Sequence, residues 1–212
     1  IARGGLGSKD EYARVDVEVG VVEQSLVEGQ DMQQADCGRS SAKSLTASFW
    51  VRSSLTGTYS VAMRNNDGSR SYIAEYTVSS ANTWEKKEIV FEGDQTGVLD
   101  NDNAHSLRCQ WWFGAGSTFS SGTLQTSWGS EVDANRAVGQ VNLADNTANE
   151  WYITGVQLEA GQTASEFEFL PHDVNLHRCQ RYYFKPHNSS YGWQGRRGGG
   201  SGFETRGRPV PS

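Results

Sequence analysis

The chain has 212 residues, a formal net charge of −6, 36% hydrophobic and 11% aromatic residues, and 24 glycines against four prolines. That length fits one domain with extensions and can bury a full core without staples. No apolar run approaches the roughly 20 residues that span a bilayer, which excludes membrane insertion by a helix. The charge is uneven: from Arg181 onward six cations face Glu204 alone, a net of about +5, leaving about −11 on the rest. An acidic body argues against the sequence-independent phosphate contacts that dominate nucleic-acid affinity. No signal peptide is visible, and a chain that starts at Ile1 rather than Met is expected to be a piece of something longer.

After a leading segment, 1–10, apolar and polar residues alternate at the strand period of two. Tyr12–Val19 reads as a strand with Val15, Val17 and Val19 on one face and Asp16 and Glu18 on the other. Leu45–Val51 places Leu45, Ala47, Phe49 and Val51 inward and leaves Thr46, Ser48, Trp50 and Arg52 outside. Strands over 57–64 and 70–78 flank Asn65-Asn66-Asp67-Gly68-Ser69. An Asp-Gly pair between strands signals a hairpin, since both residues tolerate positive φ. Trp84–Phe91 and Leu107–Phe113 are further strands, separated by a polar loop with Gly93 and Gly97 as breakers. Gly114–Asn149 is long and poor in apolar residues and reads as a loop with one or two short strands. Trp151–Leu158 reads as the clearest buried strand. Asp173 is placed to cap a short helix through Cys179, with Leu176, Cys179 and Tyr183 on one side. Strands at this spacing, without interleaved helices, predict an all-β, two-sheet antiparallel sandwich. The sandwich is expected over 11–170, followed by a short helix and aromatic strand over 171–190. From 191 to 212 the sequence is a Gly/Arg-rich arm.

Few motifs carry chemistry. Trp50 faces away from the core beside Arg52, and of the adjacent Trp111 and Trp112 one should face outward. Sugar-binding surfaces stack pyranose faces on such rings and hold hydroxyls with polar side chains. Tyr59, Arg64, Tyr72, Trp112 and Trp128 are further candidates. Asp94, Asp100, Asp102 and Asp133 offer hard oxygen ligands for calcium, but Asp100-Asn101-Asp102-Asn103 lacks the rest of a calcium-loop spacing and reads as a solvated turn. His172, His177 and Cys179 match no zinc pattern and lack a fourth ligand, so they read as helix-surface residues. Glu166 and Glu168, two apart on an extended segment, read as surface charge rather than a glycosidase pair. No phosphate-binding glycine loop or G-x-S-x-G elbow is present. Cys37, Cys109 and Cys179 are odd in number and without CxxC spacing, and read as buried or unpaired thiols. One disulfide stays open, with no pair favoured. Neither catalysis nor a cofactor is expected.

One stretch is more distinctive. WYITGVQLEAGQTASEFEFLPHDVNLHRCQRYYFK, Trp151–Lys185, places a strand with ITGVQLE-x-G, an F-E segment and CQRYY in that order. It resembles virion appendage proteins of tailed bacteriophages, especially the tail fibres of marine phages. LTASFWVRSS, Leu45–Ser54, is similar to the SFW-V-(K/R)-S strand of the same fibre domains. Together with Thr83–Glu88 and Trp151-Tyr152-Ile153 it is also similar to jelly-roll carbohydrate-binding modules. Those modules often carry an Asp in the last strand, where Thr154-Gly155 stand here, which argues against carrying over an ion site. The resemblance covers roughly residues 11–185.

It implies a jelly roll and a structural role in the virion, in a tail fibre or related appendage. It also implies a homo-oligomer, commonly a trimer, other virion proteins as partners, and host surface polysaccharide as a possible ligand. Trp193, Arg196, Arg197, Phe203 and Arg206 in the arm are then candidates for contacts between subunits. Two other readings stand beside this one. The first is a carbohydrate-binding module of a polysaccharide-degrading enzyme, against which the CQRYY tail weighs. The second is a capsid decoration protein without a host ligand.

Overall fold

Period-two alternation builds the sandwich that the sequence predicts. The structure is a computed structural model and describes residues 21–181. The expected strand Tyr12–Val19, the aromatic strand after Arg181, and the arm with Trp193, Arg196, Arg197, Phe203 and Arg206 lie outside the described residues.

Eight strands are present among the described residues: β1 (Val21–Glu28), β2 (Leu45–Ser53), β3 (Gly57–Asn65), β4 (Arg70–Val78), β5 (Glu85–Phe91), β6 (His105–Gly114), β7 (Gly129–Ser130) and β8 (Trp151–Ala160). They form two antiparallel sheets, one ordered β1-β6-β3-β4-β7 and the other β5-β2-β8. Only the β3–β4 hairpin and the short β7 keep successive strands in one sheet; the other connections pass from sheet to sheet. Apolar residues of both inner faces meet in one core. Phe49 stands at its centre, edge-on to Tyr76 at 5.3 Å and to Trp111 at 5.6 Å between ring centroids. A 3-10 turn, Gly29–Ala35, adds Met32 and Ala35 to the core.

The β3–β4 turn lies where the sequence places it, but its geometry differs. Asn65 pairs with Arg70, leaving a four-residue loop. The left-handed residue is Ser69, φ 48°, rather than Asp67 or Gly68. Asn65 Oδ1 stabilises the turn by accepting from Gly68 N at 2.8 Å.

The outer faces are the main departure. The long segment after β6 is not a free loop. It carries α1 (Ser117–Ser120) and β7, and packs on the outer face of the five-stranded sheet, where Ala62, Ile73, Trp112 and Ala137 form a second apolar cluster. Gln125 extends the cover along β4: its carbonyl accepts from Ile73 N at 2.7 Å and its side-chain amide donates to Ser71 O at 2.7 Å. On the other sheet, Thr46 and Ser48 point away from the core as predicted but are buried. The segment after β8 covers them. Thr46 Oγ1 donates to Gly161 O at 2.8 Å, and Gln157 ties the segment down through Ser165 Oγ at 3.1 Å and Glu168 N at 3.2 Å. Glu166 and Glu168 thus lie in an irregular covering segment, not on a strand.

β8 is less buried than its sequence suggests: among the described residues it pairs with β2 alone, and Trp151, Ile153 and Val156 face the core yet stay half-buried. The sandwich unit ends at Glu168, and a second unit begins at Phe169. Its described part is α2 (His172–Gln180), which opens on Pro171 as N-cap without a side-chain cap. Asp173 does not cap; it sits in the first turn, where a carboxylate favours the helix dipole. No helix among the described residues is long and apolar enough to cross a membrane.

Cys37, Cys109 and Cys179 are all free thiols, half-buried, buried and exposed in that order. Burial first, then the carboxylates of Asp94 and Asp36, push the Cys37 thiol up to about 11, and burial raises Cys109 as well. At pH 8 the reactive thiolate of Cys37 is then about one part in a thousand. Maleimide labelling of the native chain should modify Cys179 first, Cys37 far more slowly, and Cys109 only on unfolding. Peptide mass mapping reads the order, and a Cys109 labelled as fast as Cys179 would contradict this burial. Because the folded pKa of Cys37 lies above its ordinary value of 9.0, its contribution to stability is full below pH 9 and is lost as pH rises towards 11.

Candidate ligand-binding surface

Among the described residues, the outer face of the five-stranded sheet is covered near Trp112 and that of the smaller sheet near Ser48, while an aromatic area around Trp50 and Trp84 is exposed. It lies at the far end of β2, where the alternation that buries Phe49 and Val51 turns Trp50 and Arg52 outward. Across β2, Trp50 is opposite Lys86 of β5 and Thr154 of β8, and Arg52 is opposite Tyr152. Val51 is opposite Glu85, so the next residue back, Trp84, continues the register beside Arg52. Trp84 and Tyr152 therefore flank Arg52 from the two neighbouring strands.

Trp50 and Trp84 keep 42% and 43% of their surface in solvent, which is unusual for indoles on a sheet face. The rings of Trp84 and Tyr152 lie 6.5 Å apart at 55°, and the Arg52 guanidinium sits 5.4 Å from the Tyr152 ring centre. Arg52 is fixed from its other side: its Nε donates to the Asn82 carbonyl at 3.0 Å, and Asn82 N donates to Ser53 O at 2.7 Å.

Gly155 shapes the edge of this area. It carries φ +61° at a register shift where β8 has one residue more than β2, a bulge that suits glycine. A Cβ at this position would lie in ordinary contact with Trp50 Cδ1 at 3.4 Å and Phe167 Cδ2 at 3.8 Å, so it is the left-handed backbone rather than space that favours glycine. At the rim Lys86 pairs with Glu88 at 2.8 Å, and this hydrogen bond raises the exposed Lys86 ammonium above its ordinary range. The surface combines flat apolar rings with an oriented guanidinium, a hydroxyl and an ammonium. It can stack on the apolar face of a sugar ring and hold hydroxyl or carboxylate groups beside it.

The other predicted candidates are not brought to this area. Tyr59 is buried in the core, where its ring stacks on Tyr76 at 5.5 Å. Its hydroxyl is 2.7 Å from Ser53 Oγ and donates to Leu55 O at 2.9 Å. Burial raises the pKa of that hydroxyl. Trp112 does face away from Trp111, yet it is buried under the covering segment, against Phe119 and the Arg136 guanidinium. Arg64 lies on that same covered face, its Nε donating to Glu131 Oε2 at 2.8 Å. Tyr72 and Trp128 form an edge-on pair at 6.0 Å beside Phe91, with Trp128 Nε1 donating to Glu92 O at 2.6 Å.

The aspartates considered for calcium are dispersed. Asp94 holds Arg70 and Asp133 holds Arg136, while Asp102 accepts from Ala104 N and the amide of Asp100 donates to Asp67. Among the described residues no group of three or more His, Cys, Asp or Glu side chains is placed to hold a metal ion.

Trp84 and Tyr152 are the members that sequence reasoning missed. Their signal was present in the alternation: Tyr152 lies between the inward Trp151 and Ile153, and Trp84 falls on the outward parity of β5, opposite to the buried Ile89 and Phe91. Grouping them with Trp50 needed the strand register.

The chain matches no protein-family model, and neither a curated protein nor a solved structure is similar to it at a significant level.

Proposed function

We propose that this chain is a structural domain of a bacteriophage virion appendage, a tail fibre or related part, that binds polysaccharide on the host surface through Trp50, Trp84, Tyr152 and Arg52. The observation that carries the adhesive part is the open aromatic area on the smaller sheet, whereas another outward-facing indole among the described residues, Trp112, is buried. The appendage part rests on the order of ITGVQLE-x-G, F-E and CQRYY in the sequence. The finer fold reading is a jelly roll, supported by connections that pass from sheet to sheet around a single central hairpin, as in paired Greek keys. Assembly as a homotrimer with other virion proteins, through the arm that includes Trp193 and Phe203, belongs to the same proposal.

The test is an array of bacterial capsular polysaccharides and lipopolysaccharides. At least one should bind the chain, and Trp50→Ala or Trp84→Ala should weaken that binding at least tenfold, the factor that about 1.4 kcal/mol of lost stacking gives. Thermal melts of both variants should stay close to the parent. Absence of binding across the array overturns the adhesive part. Antibodies against the chain should decorate phage particles in electron micrographs. Unlabelled particles, with polysaccharide binding intact, would point instead to a binding module of an enzyme, which would use the same surface.

A further inference from the structure

We infer that Arg108, where it meets Arg64 and Arg136 on the outer face of the five-stranded sheet, is the centre of a binding site for a small oxyanion: a phosphate, sulfate or carboxylate group. The inference is independent of the polysaccharide reading.

The strand register creates the cluster. Arg64 of β3 and Arg108 of β6 are directly opposite each other, and like charges so placed destabilise a sheet. Arg136, from the segment that covers this face, adds a third guanidinium. Its Nη2 donates at 2.9 Å to Oε1 of Gln110, which follows Arg108 on the same face of β6. Two carboxylates answer these three cations. Glu131 accepts from Arg64 Nε at 2.8 Å through Oε2 and pairs with Arg136 Nη1 at 3.0 Å through Oε1. Asp133 accepts from Arg136 Nη1 at 3.1 Å. Both are thereby committed to Arg64 and Arg136. Among the described residues Arg108 forms no ion pair; its Nη2 lies 2.8 Å from His105 Nε2, an imidazole that cancels none of its charge. Arg70, also partly buried, has a carboxylate of its own in Asp94.

Burial deepens the mismatch. Arg108 is half-buried and Arg136 is 8% exposed, and the Nε–H of each is buried without an acceptor among the described residues. Burial first, then the Arg64 guanidinium and, against the pull of Glu131, that of Arg136, hold Arg108 below its ordinary range. A cation in such a place costs free energy unless an anion answers it. Access is open on the β1 side. There Arg108 is opposite Leu26, which is 55% exposed, and Gln24 on the same face is exposed as well. A guanidinium presents its N–H groups as a planar fork that suits the oxygens of phosphate, sulfate or carboxylate. Gln24 accepts from Gln110 Nε2 at 3.3 Å through Oε1, which leaves its own NH2 group as a further donor at the rim.

The experiment titrates the full chain separately with phosphate, sulfate and glucuronate at constant ionic strength and follows the arginine Nε–Hε NMR signals. With at least one of the three, the Arg108 and Arg136 signals should move along one saturable curve, half-complete below about 10 mM, while that of Arg70 stays in place. Linear drift with all three, or equal movement at Arg70, is the mark of general screening and overturns the inference. Arg108→Gln should raise the half-point, read from the Arg136 signal, by at least about tenfold. Arg39→Gln, which alters an exposed pair with Asp36, should leave it unchanged. Undiminished affinity in Arg108→Gln also overturns the inference. The three anions tell the source of the group: phosphate or sulfate without glucuronate marks a free ion or an ester, and glucuronate at equal strength marks a sugar carboxylate. The titration of the parent chain needs no substitution, so a variant that fails to fold leaves the inference testable.

Discussion

Phe49→Ala should destabilise the chain by about 3–5 kcal/mol, whereas Trp50→Ala, one residue on, should cost only about 1 kcal/mol. Phe49 is fully buried on the middle strand of the smaller sheet and bridges the two sheets through edge-on contacts with Tyr76 and Trp111. Each such aromatic pair contributes about 0.5–1.5 kcal/mol beyond area burial, and the cavity left by alanine is walled by residues of both sheets that cannot close on it. Trp50 lies beside Gly155 and keeps 42% of its surface in solvent. Urea unfolding of the two variants gives the comparison directly. If Trp50→Ala proved the more damaging, the face assignment of β2, and with it the open aromatic surface, would be wrong.

The strands that carry this core were legible because both of their faces behave consistently. β2, β3, β4, β5 and β6 each show large apolar residues at alternate positions, and their observed bounds differ from the expected ones by two residues or fewer. β1 was missed for a physical reason. Its core-side positions include Glu23, Ser25 and Val27, since Glu23 is opposite Trp111 and Ser25 opposite Cys109. An edge strand can place polar groups there because solvent reaches them, and the alternation that marks a strand disappears.

The covered outer faces were hidden for a related reason. Trp112, Ile73 and Ala62 hint at a second apolar layer, but the segment above them contributes few apolar residues. It is held largely by polar groups: Arg136 donates to Gln110 Oε1 at 2.9 Å and pairs with Glu131 at 3.0 Å, while its guanidinium lies 5.0 Å from the Trp112 ring centre. Such contacts leave no periodic trace in the sequence. The same limit explains the candidate site. Strand parity alone identified Trp50 and Arg52, but exposure depends on what lies over a strand. Parity therefore could not separate Trp50, which is open, from Trp112, which is covered.

Asp94→Ala should approach the loss of Phe49, at about 3 kcal/mol, because it strands a partly buried cation and several loop amides. Asp94 is 2% exposed in the polar loop between β5 and β6. Its carboxylate accepts from Arg70 Nε at 3.0 and 3.1 Å, from the amides of Thr96 at 3.2 Å and Gly97 at 3.0 Å, and from Asn65 Nδ2 at 3.5 Å. One side chain thus fastens the loop to the first residue of β4 and the last of β3. A residue type that suggested a calcium ligand in the sequence already holds a guanidinium as its cation. Gly97 is part of the arrangement: a Cβ there would fall 2.3 Å from Asp94 Oδ2 and 2.5 Å from Asn65 Nδ2, so Gly97→Ala should also destabilise. Asp94→Asn keeps the shape but presents an amide donor to groups that are all donors, and should recover only part of the loss. The decisive measurement is a double-mutant cycle by urea unfolding with Arg70→Met. Removing both charges should cost clearly less than the two single losses added together, since neither ion is then left buried alone. Additive losses would show that Asp94 acts through the loop amides and not through Arg70. A single Asp94→Ala loss below about 1 kcal/mol would show that the loop is not held by this carboxylate at all.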